Sequence, residues 1–314
     1  MNICVLSGGV GAARFLVGLQ SLAQSNKDLN VTAIVNTGDD EEIYGNFVCP
    51  DLDSVLYHLA NVNDEQRGWG RKDETFVFVE TLKSLGEDAW FNLGDRDLAL
   101  NSLRTNSLKS GNSLYEVTQD LLKRLDIKGI DVVPMCDEKV TTTIETKDRR
   151  TLRMQEYFVR ERCNPKIANV EFVGAPNKAH PAAIKAIEES DLIIIAPSNP
   201  YLSIMPIFAI EQINCYIRKH KDKVIAISPI VSGTAIKGPL AQIMNDQSVE
   251  VNPIGIASLY VDFISTLVID NADSEYAYKV KDMNIECVYT NTVMDSLQAR
   301  ENLAKFVVNL GTSK

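Results

Sequence analysis

The sequence has no apolar run long enough to cross a bilayer. Its longest, such as LIIIA, fall far short of the roughly 20 residues that a spanning helix needs. No block of Lys and Arg exceeds the stretch RKHKDK, and 42 acidic residues against 32 basic ones leave a net charge of −10. Neither nucleic acid nor an anionic membrane surface is therefore expected as a partner. A phosphorylated small molecule stays open, because it needs local donors rather than a basic surface. The six cysteines (Cys4, Cys49, Cys136, Cys163, Cys215, Cys287) have no C-x-x-C spacing. They read as reduced thiols, mostly buried, rather than zinc ligands or a disulfide framework. His58, in an amphipathic helix, and His220, in a basic surface stretch, lack metal-ligand spacing and read as structural. Repeats, low-complexity tracts and Pro/Ser-rich linkers are missing too, so a single α/β domain over residues 1–314 is expected. The chain enters a strand within two residues, with no basic n-region or cleavage site, and the expected location is the cytoplasm.

What is present alternates. NICVLS precedes a helix from about Ala12 to Ala23, and VTAIVN follows it; DLIIIA, a helix near Phe208–Arg218 and KVIAIS come later. Continuous Val/Ile runs suit strands buried on both faces of a parallel sheet, and the order strand, helix, strand predicts a doubly wound, Rossmann-like fold. The middle differs: KVTTTIET-KDRR-TLRMQEYFVRE predicts an antiparallel hairpin, and the text before it is helical and loop-rich. Residues from about 60 to 175 read as an elaboration on the parallel core.

Ligands of open parallel sheets bind beyond the carboxyl ends of the strands. Four predicted strands exit into GGVGAAR, TGDD, PSNPYLSI and PIVSGTAIKGP, all rich in small polar, glycine or acidic residues. One such loop says little; four on one edge predict a phosphate or nucleotide pocket. In the first loop Gly9 and Gly11 fit the dinucleotide fingerprint G-x-G-x-x-G, but Arg14 stands where the third glycine belongs. The loop offers N–H groups at a helix start; the same glycines also suit a turn needed only for backbone geometry. Arg14 suits a phosphate or, equally, solvent. Ser198, Asn199 and Ser203 are either ligand contacts or caps of a helix start. Ser232, Gly233, Lys237 and Gly238 resemble parts of a phosphate loop without its spacing.

Acidic residues cluster at Asp39 and Asp40, at Asp51 and Asp53, and at Asp95 and Asp97 with Arg96 between them. Aspartates at alternate positions are a common way to hold Mg²⁺, which takes one or two carboxylates plus phosphate oxygens. Asp53 is also placed to cap the helix SVLYHLANV.

Together the motifs SGGVGAAR, NTGDD, GNFVCPDLDSVLY, LGDRDLA, VPMCDEKVTT, IIIAPSNPYLSIMPI, ISPIVSGTAIKGP and YVDFISTLVID resemble the 2-phospho-L-lactate transferase (CofD) family of deazaflavin coenzyme biosynthesis, in family order and over nearly the whole chain. The resemblance implies transfer of a phospho-acyl unit, 2-phospholactate or phosphoenolpyruvate, from a guanosine-diphosphate-activated donor. The acceptor would be the ribityl hydroxyl of 7,8-didemethyl-8-hydroxy-5-deazariboflavin (Fo), with GMP leaving and Mg²⁺ required. It places Gly8, Gly9, Gly11 and Arg14 beside the diphosphate, and Asn36, Thr37 and Asp39 of NTGDD on the ligand side. It makes Asp51 the leading catalytic and metal-linked carboxylate, with Asp53 as second metal ligand. Asp95, Arg96 and Asp97 fall at the acceptor side, the first two as catalytic candidates. Ser198, Asn199, Ser203, Ser232, Gly233, Lys237 and Gly238 would hold the guanosine end. The chain departs from the family pattern at Asn101, commonly histidine, at Ser232 in VSG for the frequent VGG, and at Met154–Gln155 for FQ. Asn101 rules out a general-base histidine there. The expected partners are small molecules, with a homodimer as the candidate assembly.

Two other readings are weighed. A non-enzymatic nucleotide-sugar-binding regulator of the same superfamily would lack the CPDLD and GDRD acid pairs in this form. An NAD-linked oxidoreductase needs a small residue at Arg14 and a ribose-binding acid at Asn36.

Overall fold

The computed structural model describes residues 1–235 and 238–312. Strands β1 (Asn2–Ser7), β2 (Asn30–Val35), β5 (Asp131–Pro134), β9 (Leu192–Ile195), β10 (Val224–Ile227), β11 (Thr266–Asp270) and β12 (Glu286–Thr290) form one sheet. Its order is β12-β11-β10-β9-β1-β2-β5, parallel throughout. Alternate residues feed two cores. Ile3 and Val5 point to one face, under α1 (Val10–Ser25), α2 (Pro50–Leu59), α5 (Leu114–Arg124) and α9 (Leu297–Thr312). Cys4 and Leu6 point to the other, under α6 (Pro181–Glu188), α7 (Glu211–Lys219) and α8 (Pro253–Tyr260). Both faces are covered, which is why the strands read as continuous Val/Ile runs. This is the doubly wound α/β fold expected from the sequence.

Between β2 and β5 the chain makes a short hairpin, β3 (Glu41–Ile43) with β4 (Asn46–Val48), then α2, α3 (Val77–Ser84), α4 (Asp95–Lys109) and α5. The stretch 60–175 is not wholly outside the parallel core, because β5 within it pairs with β2 at the sheet edge. The antiparallel unit has three strands, not two: β6 (Thr141–Thr146) lies between β7 (Thr151–Arg153) and β8 (Ile167–Val173). The second strand of the expected hairpin is short because Met154 and Tyr157 turn inward onto Ile144, Ile167 and Leu202, and the backbone coils into a π-helical turn, Glu156–Arg160. Strand β8 is mostly exposed and only weakly alternating. Among the described residues no helix is long and apolar enough to cross a membrane.

Candidate active site

Strand β1 has β2 on one side and β9 on the other, so the winding direction reverses at its carboxyl end, where such sheets open a crevice. A cleft of about 640 Å³ lies there, within the range of small-molecule sites. The turn from β1 into α1 forms one wall, with Gly9, Val10 and Gly11 lining it. Helix α1 has no side-chain cap at Gly9, so its first-turn N–H groups face the cleft without an intrahelical partner. Space explains the glycines: a methyl on Gly8 would sit 2.3 Å from Ser203 Cβ, on Gly9 2.5 Å from Asp51 Oδ1, and on Gly11 2.3 Å from the Pro197 carbonyl oxygen.

Across this wall stands a knot of buried acids. Asn36, fully buried at the end of β2, donates through Nδ2 to Asp39 Oδ1 (2.8 Å) and Asp51 Oδ2 (2.9 Å). Gly38 N donates to Asn36 Oδ1 at 2.8 Å, which fixes the amide. Burial, then the neighbouring Asp51 charge, holds Asp39 well above the usual carboxylate range, against the pull of the Asn36 hydrogen bond. Asp51 is pushed up to about 6 by burial, with Asn36 and Ser203 hydrogen bonds opposing. Both Asp40 carboxylate oxygens are buried with no nitrogen or oxygen donor among the described residues. Burial raises that group as well, offset by the Cys49 thiol and the Arg104 charge. Thr37 is buried behind Asn36 and does not line the cleft.

Asp53 borders the cleft, yet both its oxygens are taken by Arg104, Nη2 on Oδ1 and Nη1 on Oδ2 at 3.1 Å. It caps no helix: Cys49 occupies the cap position of α2 and Asp53 lies inside the first turn. Arg104 is 1% exposed and belongs to a polar stripe on α4, with Asp97 seven residues before it and Asn101 three before it. Asn101 donates to the Asp97 carbonyl at 2.9 Å and accepts from Arg104. The Tyr57 hydroxyl donates to Asp97 Oδ1. Burial and the Asp53 charge push Asp97 up to about 7, against that hydrogen bond.

Asp95 and Arg96 are not brought to the cleft. Asp95 accepts from Thr75 Oγ1 and from Val77 N and Phe78 N at 3.0 Å, capping α3, and these bonds hold it below its ordinary pKa. Glu74 reciprocates at the start of α4, accepting from Arg96 N and Asp97 N at 2.9 Å, while the Arg96 side chain is exposed. Two segments thus cap one another's helices, and only Asp97 of the GDRD motif lines the cleft.

Ser198, Asn199 and Ser203 from the β9 exit line the cleft, as does Gly238. Ser198 Oγ accepts from Gly8 N (3.2 Å), and Asn199 Oδ1 caps the next turn by accepting from Tyr201 N (3.0 Å). Ser232 and Gly233 are exposed and away from the cleft, with Ser232 N donating to Asp273. Lys237 lies outside the described residues. Arg14 is not in the cleft wall but one turn further along α1, within reach of the Arg300 and Glu65 charges. Sequence reasoning missed the far wall, where Tyr57, Trp69, Phe91, Met154 and Phe158 give the cleft a largely apolar, aromatic side. Two of these had a signal, Tyr57 as the tyrosine of CPDLDSVLY and Met154 as a departure from the family's FQ. Arg104 had one too, its helical spacing from Asp97.

No group of three His, Cys, Asp or Glu side chains among the described residues forms a protein-only cation cage. Mg²⁺ does not need one, since it keeps waters and takes substrate phosphate oxygens. Asp39 and Asp51 line the cleft as two buried acids sharing one amide, which suits such an ion.

Comparison with known proteins bears on this arrangement. The family model described as "2-phospho-L-lactate transferase CofD" matches residues 3–308. A 2-phospho-L-lactate transferase of Methanococcus maripaludis (strain C6) is 34% identical, over 100% of both chains. A protein named phosphoenolpyruvate transferase from Streptomyces coelicolor is 36% identical, over 99% of this chain and 98% of its own. The crystal structure of a UPF0052 family protein from Bacillus halodurans superposes with a TM-score of 0.62 at 16% identity, covering 98% of this chain and 99% of that one. That likeness shows the fold alone.

Proposed function

The chain belongs to the 2-phospho-L-lactate transferase CofD family and is a transferase, and on that premise we propose that it moves a phospho-acyl unit from a guanosine-diphosphate-activated donor to the ribityl hydroxyl of Fo, releasing GMP, in coenzyme F(420) biosynthesis. The observation that carries this reading is the two-sided cleft. One wall offers unsatisfied N–H groups of a helix start, suited to a diphosphate. The other is aromatic, suited to a flat heterocycle, and Asp51 stands between them.

In the proposed reaction the acceptor oxygen attacks the phosphorus that carries the three-carbon acid. The bond from that phosphorus to the bridging oxygen breaks, and GMP leaves with the electron pair. Such displacements are catalysed mainly by positioning and charge neutralisation. Asn36 holds Asp51 by Oδ2, which leaves Oδ1 toward Gly9. That oxygen is placed to take the hydroxyl proton as a general base. Asp97 and Tyr57 orient the acceptor from the far side. Asp51 and Asp39 are the residues that would hold Mg²⁺, which supplies charge neutralisation of the phosphates when bound. Asp53 is committed to Arg104 and is left out of that set.

Binding tests the two walls separately. Fo, followed by its fluorescence, and GDP, by calorimetry, should both bind, and Trp69→Ala should weaken Fo by roughly 5- to 100-fold while sparing GDP. A protein that binds neither would contradict the reading.

A further inference from the structure

The site described above leaves one pair of cations unused. Arg14 donates no hydrogen bond to any described residue, and its Nε is buried without an acceptor. Arg300 approaches from α9, whose backbone crosses α1 so closely that a methyl on Gly18 would sit 2.3 Å from the Arg300 carbonyl oxygen. Arg300 is 8% exposed, and its Nε too is buried without an acceptor. Among the described residues its one ion pair is to Glu65, Nη2 to Oε1 at 2.7 Å, and Glu65 is largely exposed. His58 completes the group, with Nδ1 2.7 Å from the Ser54 carbonyl oxygen. Burial and the two arginines push the imidazole down to about 4, so it adds no charge near pH 7.

One buried and one part-buried guanidinium, with a single exposed carboxylate paired to one of them, are a poor structural element. The buried Nε of each goes unmet, and burial, then the Arg300 charge, lowers the Arg14 pKa. The arrangement suits an arriving oxyanion, the partner that guanidinium groups bind best. It also adjoins the cleft. Arg14 is one turn beyond Gly9–Gly11 and His58 one turn beyond Ser54; the glycine turn and Ser54 line the cleft, and the two basic side chains lie just outside it.

We propose that Arg14 and Arg300 form an oxyanion site that binds the carboxylate of the three-carbon acid on the donor. The pair therefore recognises the group being transferred, while the glycine loop holds the diphosphate. The proposal rests on the donor assigned under Proposed function. In this structure Glu65 pairs with Arg300, and it competes with the donor carboxylate for the guanidinium.

Titration calorimetry of the full chain with two ligands separates carboxylate from diphosphate recognition. GDP has the diphosphate alone, and the GDP ester of lactate, which is 2-phospholactate joined to GMP, has both. In Arg14→Gln and Arg300→Gln, each checked for folding by melting temperature, donor affinity should fall roughly 10- to 100-fold with GDP affinity within about twofold of wild type. Glu65→Gln removes the competitor and should tighten the donor without changing GDP. An equal loss for both ligands would assign the arginines to the diphosphate and overturn the proposal; no loss for either would overturn it too. If Arg14→Gln or Arg300→Gln does not fold, Glu65→Gln decides, and unchanged or weakened donor binding rejects the proposal. If wild type binds neither ligand, the donor assignment fails instead.

Discussion

Asp51 and Asp95 are both aspartates of short acidic motifs, and the structure gives them different neighbours. Asp51 is buried against Gly9 and held by Asn36, whereas Asp95 spends its carboxylate on the start of α3. Asp51→Asn keeps the shape and loses the charge. Turnover should fall by a factor of about 10²–10⁴ with GDP binding and melting temperature largely kept; near-normal turnover would remove Asp51 from catalysis. Asp95→Ala should do the reverse, lowering stability by roughly 1–2 kcal/mol through the lost cap while turnover per folded molecule stays within severalfold. Denaturant unfolding beside initial rates measures both. Asp97 makes a pH-dependent case. Its folded pKa of about 7 lies above the ordinary 3.8, so from about pH 4 to 7 the folded state keeps a proton that the unfolded chain releases. Its contribution to stability therefore declines as pH rises through that window. Asp97→Asn cannot ionise, and the variant should gain in melting temperature over wild type more at pH 8 than at pH 5. An equal offset at both would contradict the assignment. The acids themselves were legible because motifs such as CPDLD stand out. Their partners were not: Arg104 lies about fifty residues from Asp53 and Glu74 about twenty from Asp95, and one sequence does not show which distant segments meet.

Helix α1 is the element on which the site depends, since its start forms the donor wall and its far side carries α9. Gly18 is the contact point, and Gly18→Ala should cost roughly 1–3 kcal/mol because a backbone carbonyl cannot step aside as a side chain can. Unchanged thermal stability in that variant would mean the two helices are less tightly seated. β1, α1, β2, β9 and β10 could be read from the sequence because strands buried on both faces leave unbroken apolar runs and α1 has an apolar stripe. β8 could not, since only Ile167 is fully buried and the strand is held by pairing with β6 rather than by a core face. The strap that carries Trp69 was illegible for a related reason. It is held by local contacts, such as Arg67 stacked over Trp69 and Phe76 and bonded to Asp64, which leave no periodic pattern.

For the molecule as a whole, net charge of −10 and a knot of buried acids are compatible with the proposed phosphate-binding role because such recognition is local. In the proposed function it would come from backbone N–H groups, the proposed arginine pair and a cation shared with the substrate. The sheet order places the first and fourth of the four polar loop exits apart and still directs all of them to one edge, so the expected pocket follows from topology. The aromatic wall does not, because it comes from the segments outside the parallel sheet. The most direct measurement is to incubate the protein with Fo, Mg²⁺ and the guanosine-diphosphate-activated donor, and to identify the products by mass. The account predicts Fo extended by the phospho-acyl unit, with one GMP for each product formed. Release of GMP with unmodified Fo, or no reaction with either the phospholactyl or the enolpyruvyl donor, would contradict it.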